Sequence, residues 1–183
     1  MATNGKNTGR YATDRAESEF QPGSRGKVLR NLAGITSKKK IEQLEFESLI
    51  RTQIFYITKI LSPCTVLNED LIRKMHKDWL GKIYEWAGNY RTVNVSKGDF
   101  TWPPAYLVSD HMKNFSNGTL KTYTPCIPAP LQDLALNITI VHSEFLLIHP
   151  FRDGNGRMAR WIADIMAMQA GLSPPNYGFI GQG

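Results

Sequence analysis

The sequence predicts a mainly helical, single-domain protein with one short β-hairpin. Its clearest helical signal is an apolar stripe with spacings of 4, 3, 4 and 3 residues, which is typical of one face of an α-helix. The stripe consists of Leu134, Ile138, Val141, Phe145 and Ile148. A second apolar pattern of roughly helical spacing covers residues 39–61. Between residues 84 and 104 the period changes, because β-formers surround a Lys-Gly-Asp turn there, and this change predicts the hairpin.

Composition narrows the class of protein. The 183 residues suit one domain, and 42% hydrophobic with 21% charged residues is ordinary for a globular chain. The net charge of +6 suits phosphate groups or an acidic partner, but the basic residues are spread along the chain, which does not favour nucleic-acid binding. No apolar run has membrane-spanning length, and the N-terminus lacks the apolar core of a signal peptide. We therefore expect a cytoplasmic protein with no direct nucleic-acid or membrane partner.

The first elements can be placed from local signals. Residues 1–26 are rich in Gly, Asn, Thr, Ser and charge, so a flexible polar tail is expected before a domain that spans residues 27–183. Thr36 or Ser37 is expected to cap the first helix, and Asn68 a second one.

The hairpin and a short third helix follow. The hairpin is expected around residues 93–102, where Pro-Pro closes it. The helix is expected over residues 105–115, with a break at Asn117-Gly118.

The stretch that joins the last two helices carries the chemistry. The first of these helices stops at His149-Pro150, and the next begins near Asn155 or Gly156. A helix N-terminus presents unpaired N–H groups and the positive end of the helix dipole, which attract anions. Gly154 and Gly156 allow the backbone to approach a phosphate closely, and Asn155 is expected to add a side-chain donor to this cradle. The sequence therefore predicts a phosphate site.

Four charged or titratable side chains complete the predicted site. Arg157 and Arg160 share a face of the new helix and can bind phosphate oxygens. Asp153 is the kind of lone carboxylate that holds Mg²⁺ together with phosphate oxygens. His149 is the group that can accept a proton near neutral pH, so it can activate a hydroxyl group for attack on phosphorus.

Each of these residues also has an ordinary structural interpretation. His149 can cap a helix, an Asp-Gly pair can form a turn, and Arg160 can pair with Asp164 four residues later. The pattern from Gly154 to Ala159 matches the relaxed dinucleotide fingerprint, but a helix precedes it where a strand is needed, and no carboxylate follows at the required distance. The combination of residues favours a nucleotide-handling site without that fold.

The stretch resembles the full signature of Fic-domain proteins, His-x-Phe-x-Asp/Glu-Gly-Asn-Gly-Arg-x-x-Arg. Every defining position matches, from His149 through Phe151 and Asp153 to Arg157 and Arg160. The resemblance also covers the preceding helices and the hairpin. It implies an all-α fold, a Fic-type helical bundle with a small β-hairpin called the flap. It also implies transfer of AMP from ATP to a hydroxyl group of a target protein, with release of pyrophosphate.

The resemblance implies a role for each signature residue. His149 would be the general base, and Asp153 would hold Mg²⁺ against the α- and β-phosphates. Arg157 would bind the β-phosphate region and Arg160 the γ-phosphate. The anion hole would consist of Gly154, Asn155 and Gly156. The flap would hold an extended target segment by strand pairing, and its candidate docking residues are Val93, Val95 and Phe100. Candidates for adenine contact, in the loop after the last helix, are Asn176 and Tyr177.

Many Fic proteins are inhibited by a helix with the pattern Ser/Thr-x-x-x-Glu-Gly/Asn, whose glutamate pairs with the second signature arginine. Residues 13–17 and 65–69 match the Ser/Thr-x-x-x-Glu part but not the position that follows it. Either a separate small antitoxin supplies the helix, which is the favoured interpretation, or the helix lies outside this chain. By analogy, the protein would be the toxin of a bacterial toxin–antitoxin pair, with type II topoisomerase subunits among its plausible targets.

Other activities stay open at this point. The same site could transfer another phosphate-containing group or remove AMP, or the protein could be a non-catalytic nucleotide-binding or interaction protein. The complete signature, with His149 present, favours AMP transfer.

Overall fold

The structure, a computed structural model, describes residues 12–13 and 19–178. Within them the chain is mainly helical, as the sequence predicts. Its α-helices, in chain order, are α1 (Lys38–Phe55), α2 (Glu69–Leu80), α3 (Val108–Phe115), α4 (Lys121–Tyr123), α5 (Leu131–Ile148) and α6 (Asn155–Gln169). An antiparallel sheet has the order β1-β2-β3, with β1 at Ala12–Thr13, β2 at Val95–Lys97 and β3 at Phe100–Thr101. The strands β2 and β3 form the predicted hairpin.

The starts of α1 and α2 confirm the caps expected from the sequence. The Ser37 hydroxyl accepts a hydrogen bond from the N–H of Lys40 at 3.4 Å, and the Asn68 carboxamide oxygen accepts one from the N–H of Leu71 at 2.9 Å. These side chains satisfy N–H groups that a helix start leaves unpaired. A π-helical turn, Tyr56–Ile60, extends α1 to nearly the predicted length.

The helical segment that begins with α3 does not break at Asn117-Gly118, so the sequence expectation was wrong there. A π-helical turn, Ser116–Leu120, carries the chain directly into α4. Leu120 is fully buried in the core, and the Thr122 hydroxyl donates to the Gly118 carbonyl at 2.9 Å. Burying a leucine gains about 1.5–3 kcal/mol, which exceeds the cost of about 1 kcal/mol for a helical glycine.

The expected boundary of the tail at residue 26 also needs correction. Residues 19–26 pack against the body of the protein: Phe20 forms an antiparallel bridge with Leu29, and Ser24 is buried. Nearer the N-terminus, β1 pairs with β2, which the sequence did not suggest. The rest of the predicted tail lies outside the described residues.

The core forms around α5 and α6, which pack closely against each other. Its largest fully buried side chains include Tyr56, Trp79, Phe115, Phe145, Phe151 and Trp161. By length and hydropathy alone α5 could span a membrane, contrary to the sequence expectation, yet it contributes four buried side chains to this core. Because both helices are anchored, the loop of residues 149–154 between them is held at a defined position.

Candidate active site

His149 ends α5 in a left-handed backbone conformation, with φ of 52°. Its N–H still donates to the carbonyl of Phe145 at 3.0 Å, so the turn out of the helix is abrupt. The side chain is only 3% exposed, because the indole of Trp102 lies over it with 4.0 Å between ring centroids. The Trp102 indole N–H donates to the carbonyl of Leu146 at 2.9 Å, which ties the flap to the base.

The tautomer of His149 follows from its backbone neighbour. Nδ1 lies 3.3 Å from the carbonyl oxygen of Leu146, and a carbonyl can only accept a hydrogen bond. Nδ1 therefore carries the proton, and Nε2 is the nitrogen that can take a proton from a hydroxyl group.

Asn155 does not contribute its side chain to the phosphate cradle, contrary to the sequence expectation. Its Oδ1 accepts from the N–H of Phe151 at 2.9 Å, and its Nδ2 donates to the carbonyl of Phe151 at 2.8 Å. Asn155 is fully buried, so its amide satisfies backbone groups that the tight loop would otherwise leave unpaired. Phe151 is also fully buried, so its side chain anchors the loop in the core.

The backbone at the start of α6 forms an open cradle. The first hydrogen bond of this helix runs from the N–H of Met158 to the carbonyl of Gly154 at 2.9 Å. The N–H groups of Asn155, Gly156 and Arg157 precede it and have no acceptor among the described residues. Unpaired N–H groups at a helix start bind anions, so the geometry is open to a phosphate, and the phosphate site stays a prediction.

The two glycines of the cradle are needed for different reasons. Gly154 has φ of +85°, and a Cβ atom there would lie 2.9 Å from the Trp79 ring. At Gly156 the nearest atom to an added Cβ would be Arg160 Nη1 at 4.0 Å. The protein itself therefore requires glycine at position 154, whereas the space at position 156 is open for a ligand.

Asp153 lies beside the cradle, and its role as a ligand of a divalent cation stays a prediction. Its Oδ1 accepts from the N–H of Gly154 at 2.5 Å and lies 3.5 Å from Arg157 Nη2, while Oδ2 has no hydrogen-bond partner within the described part of the chain. No group of three or more candidate metal ligands exists among the described residues. A single carboxylate oxygen fits Mg²⁺ that takes its other ligands from phosphates and water.

The two signature arginines differ in their surroundings. Arg157 is mostly buried and forms a salt bridge with Glu45, with 2.5 Å between Nη1 and Oε2. Burial lowers the pKa of Arg157, but the charges of Glu45 and Asp153 outweigh this effect and the pKa is raised. Arg160 is exposed and forms no salt bridge among the described residues.

The side chain of His76 contacts the loop of residues 149–154 and helps to hold it in place. This residue was not identified from the sequence. Its Nδ1 accepts from the N–H of Gly88 at 2.9 Å, so Nε2 carries the proton and donates to the carbonyl of Asp153 at 3.1 Å. The ring stacks on Phe151 with 3.8 Å between centroids. Burial lowers the pKa of His76 from 6.5 to about 4, so the imidazole is neutral at physiological pH.

Arg91 connects the flap to the loop of residues 149–154 through hydrogen bonds. It was also not identified from the sequence. Its guanidinium donates to the carbonyls of His149 at 2.8 Å, Val93 at 3.1 Å and Pro103 at 2.6 Å. Burial lowers the pKa of Arg91 to about 10, so it stays charged near neutral pH. The one sequence signal was an arginine within the β-forming segment before the hairpin.

The flap residues proposed for target docking are not equivalent. Val93 and Val95 are buried, so their side chains cannot reach a target, and only their backbone can pair with one. Phe100 is 50% exposed and meets Trp102 edge to face. Of the flap candidates, Phe100 alone presents its side chain.

The adenine candidates lie in the segment after α6, and Tyr177 contacts that helix at Arg160 and Asp164. The Tyr177 hydroxyl donates to Asp164 at 3.0 Å, and the Arg160 guanidinium carbon lies 5.8 Å from the centre of the Tyr177 ring. Asn176 accepts from the N–H of Gly178 at 2.8 Å. Adenine contact by either residue stays a prediction.

The chain is similar in sequence to a described protein family and to proteins with known names. Residues 66–167 match the model of the family described as Fic/DOC family. The chain is 28% identical over 148 residues to Protein adenylyltransferase Fic of Nematostella vectensis, covering 80% of this chain and 34% of that protein. It is 28% identical over 156 residues to Protein adenylyltransferase VbhT of Bartonella schoenbuchensis, covering 79% and 30%. The chain thus spans about a third of the length of these two curated relatives.

A solved structure shares the fold. The crystal structure of BepC, a VirB-translocated Bartonella effector protein from Bartonella tribocorum with bound AMPPNP, superposes with a TM-score of 0.68. The two chains are 20% identical, and the match covers 84% of this chain and 79% of the other. The all-α fold with a small hairpin that the sequence implied is therefore confirmed.

Proposed function

The chain belongs to the Fic/DOC family, whose model covers more than half of it, and we propose that it transfers AMP from ATP to a hydroxyl side chain of a target protein. The observation that carries this proposal is the position of His149, whose Nε2 is the proton-accepting nitrogen, in the loop that leads into the open N-terminus of α6. A base and an anion cradle joined by one short loop suit the attack of a hydroxyl group on a phosphate.

In the proposed reaction the target oxygen attacks the α-phosphorus of ATP. The new bond forms between that oxygen and phosphorus, and the bond from phosphorus to the bridging oxygen of pyrophosphate breaks. The hydroxyl proton passes to Nε2 of His149. The products are the AMP-modified target, pyrophosphate and one proton, which the imidazolium later releases to solvent.

The phosphate chain would lie against the start of α6. The N–H groups of Asn155, Gly156 and Arg157 would donate to its oxygens, and Arg160 would bind the γ-phosphate. Asp153 would hold Mg²⁺, which supplies positive charge that stabilises the developing charge on the phosphates. Burial of the salt bridge between Arg157 and Glu45 supports an ordered position for the β-phosphate contact.

Regulation by a separate antitoxin is part of the proposal. In inhibited family members a glutamate pairs with the second signature arginine, which is Arg160 here. Arg160 is exposed and forms no salt bridge within the described part of the chain, so its guanidinium is open to a glutamate from another polypeptide. Such a partner would place this protein in a bacterial toxin–antitoxin pair.

The test is incubation of the protein with α-labelled ATP, Mg²⁺ and bacterial lysate. We expect label on a protein band with the unmodified chain and none with His149→Ala. The labelled band can then be identified, and type II topoisomerase subunits are the first targets to examine. Label that appears equally with His149→Ala would contradict the proposed role of the base.

A parallel reaction with γ-labelled ATP separates AMP transfer from phosphate transfer. AMP transfer releases the γ-phosphate within pyrophosphate, so no band that depends on the added protein and on His149 should carry this label. A band labelled from γ-labelled ATP and not from α-labelled ATP would instead identify the protein as a phosphotransferase.

A further inference from the structure

Glu45 is a carboxylate in a place where sequence patterns predict an apolar side chain. It lies on the inward face of α1 between Ile41 and Leu49, at spacings of four residues, and it is only 6% exposed. A buried carboxylate is costly unless charge and hydrogen bonds compensate for it. Its partners therefore indicate why it is there.

Both carboxylate oxygens of Glu45 are engaged by other parts of the chain. Oε2 accepts from Nη1 of Arg157 at 2.5 Å, and Oε1 accepts from the hydroxyl of Tyr84 at 2.5 Å. Burial, together with the charge of Glu45, raises the pKa of Tyr84, so this hydroxyl stays protonated and donates. The backbone carbonyl of Glu45 also accepts from the indole N–H of Trp79 at 2.9 Å.

These contacts hold the guanidinium of Arg157 on several sides. Glu45 binds one terminal nitrogen, and the other lies 3.5 Å from Asp153 at the cradle. The Trp79 ring supports the flat face of the group, with 4.7 Å between the guanidinium carbon and the ring centre. A guanidinium has five N–H donors, so donors remain for a phosphate after Glu45 is satisfied.

We propose that Glu45 is a positioning residue, which orients the Arg157 guanidinium toward the β-phosphate of the bound nucleotide. This inference rests on the proposed function, because the β-phosphate contact is part of it. The opposite role, inhibition by a glutamate that occupies a phosphate position, does not fit the geometry. Glu45 pairs with Arg157 and not with Arg160, and its carboxylate is buried and accepts a hydrogen bond from Tyr84.

The test compares nucleotides that differ in the β-phosphate. Binding of ADP and of AMP is measured by titration calorimetry for the unmodified chain and for Glu45→Gln, which keeps the shape of the side chain and removes its charge. We expect ADP to bind about tenfold more weakly to Glu45→Gln, as befits one charge-assisted contact, and AMP to bind within about twofold of the unmodified chain. A general structural defect would weaken both nucleotides alike.

Two further variants are controls that separate a specific effect of Glu45 from a folding defect. Glu47→Gln makes the same chemical change on the exposed face of α1, and it should leave both affinities unchanged. Tyr84→Phe removes only the hydrogen bond to Glu45, and it should weaken ADP by less than Glu45→Gln does. If Glu45→Gln does not fold, Tyr84→Phe carries the same comparison of ADP with AMP.

Several outcomes would overturn the inference. Unchanged ADP affinity, or an equal loss for ADP and AMP, would show that Glu45 does not position a β-phosphate contact. Faster AMP transfer by Glu45→Gln would assign it an inhibitory role. If the unmodified chain binds ADP but labels no target, the proposed reaction fails while the role of Glu45 is still decided by the binding data. Binding of neither nucleotide would end both proposals.

Discussion

The Nε–H of Arg91 donates to the carbonyl oxygen of His149 across 2.8 Å. His149 is held at a positive φ, a conformation that costs a non-glycine residue about 1–3 kcal/mol. A buried cation on its carbonyl offsets this cost, because charge-assisted hydrogen bonds are among the strongest in proteins. The same guanidinium binds carbonyls at both ends of the hairpin, so one side chain couples the flap to the base.

Replacement of Arg91 by methionine should therefore destabilise the protein and remove its activity. Methionine fills much of the space but leaves the carbonyls of His149, Val93 and Pro103 without their donor. Each buried group that loses its partner costs about 1–3 kcal/mol, so we expect the free energy of unfolding in urea to fall by about 3 kcal/mol or more. Arg51→Met, an exposed arginine on α1, is the control and should change stability by less than about 0.5 kcal/mol. A small loss of stability in Arg91→Met would show that the hydrogen bonds of Arg91 are not needed to stabilise the fold.

Gly156→Ala should separate folding from phosphate binding. Apart from the neighbouring residues and the adjoining helix backbone, the nearest atom to an added Cβ is Arg160 Nη1 at 4.0 Å, and alanine favours a helix by up to about 1 kcal/mol over glycine. We expect thermal stability to be unchanged or slightly higher, while ATP affinity measured by calorimetry falls about tenfold or more, because the methyl group occupies the cradle.

Gly154→Ala is the matched contrast to that variant. It places a Cβ atom 2.9 Å from Trp79 at a positive φ, so stability itself should fall by about 2 kcal/mol or more. Undiminished ATP binding by Gly156→Ala would mean that phosphates do not lie against the start of α6.

Local features of this chain were predictable from its sequence. The caps at Ser37 and Asn68, the hairpin and the helix with the 4-3-4-3 stripe depend on residues within one or two turns of each other. The signature loop was also predictable, because its residues are contiguous. Even there, the orientation of Asn155 was wrong, since the pattern does not reveal that the loop backbone needs both polar groups of that amide.

The supporting side chains could not be found in the same way. Glu45 lies 112 residues from Arg157, His76 lies 77 residues from Asp153, and Arg91 lies 58 residues from His149. Such contacts depend on how the helices pack, which periodicity alone does not determine. Glu45 left one trace, a charge at a position where the apolar face of α1 continues on both sides.

Acid should destabilise the protein through His76. In the folded state the His76 imidazole has a pKa of about 4, against an ordinary value of 6.5. Between these pH values the unfolded chain therefore binds more protons than the folded chain does. Stability should therefore fall as the pH is lowered from about 6.5 to about 4, by up to roughly 3 kcal/mol. The measurement is the free energy of unfolding in urea as a function of pH.

His76→Gln isolates this contribution, because glutamine does not titrate. The variant should lose less stability over the same pH interval than the unmodified chain does, whatever its stability at pH 7. His142 also has a lowered pKa through burial and contributes equally to both proteins, so the difference between the two curves reports His76. Parallel curves would contradict a neutral, buried His76.

One edge of the flap, that of β2, is already paired with the chain itself. Ala12 lies opposite Ser96 and Thr13 opposite Val95 across β1 and β2, while β3 occupies the other edge of β2. Since a strand edge can pair with one partner at a time, a target that adds to β2 must displace β1.

A chain that lacks residues 1–17 should therefore label its target faster at a low target concentration, with the difference shrinking as the target approaches saturation. Thermal unfolding of the shortened chain provides the control, because the pairing of Phe20 with Leu29 is retained. An unchanged rate with an intact fold would mean that the target pairs elsewhere, whereas a slower rate would mean that β1 is part of the docking surface.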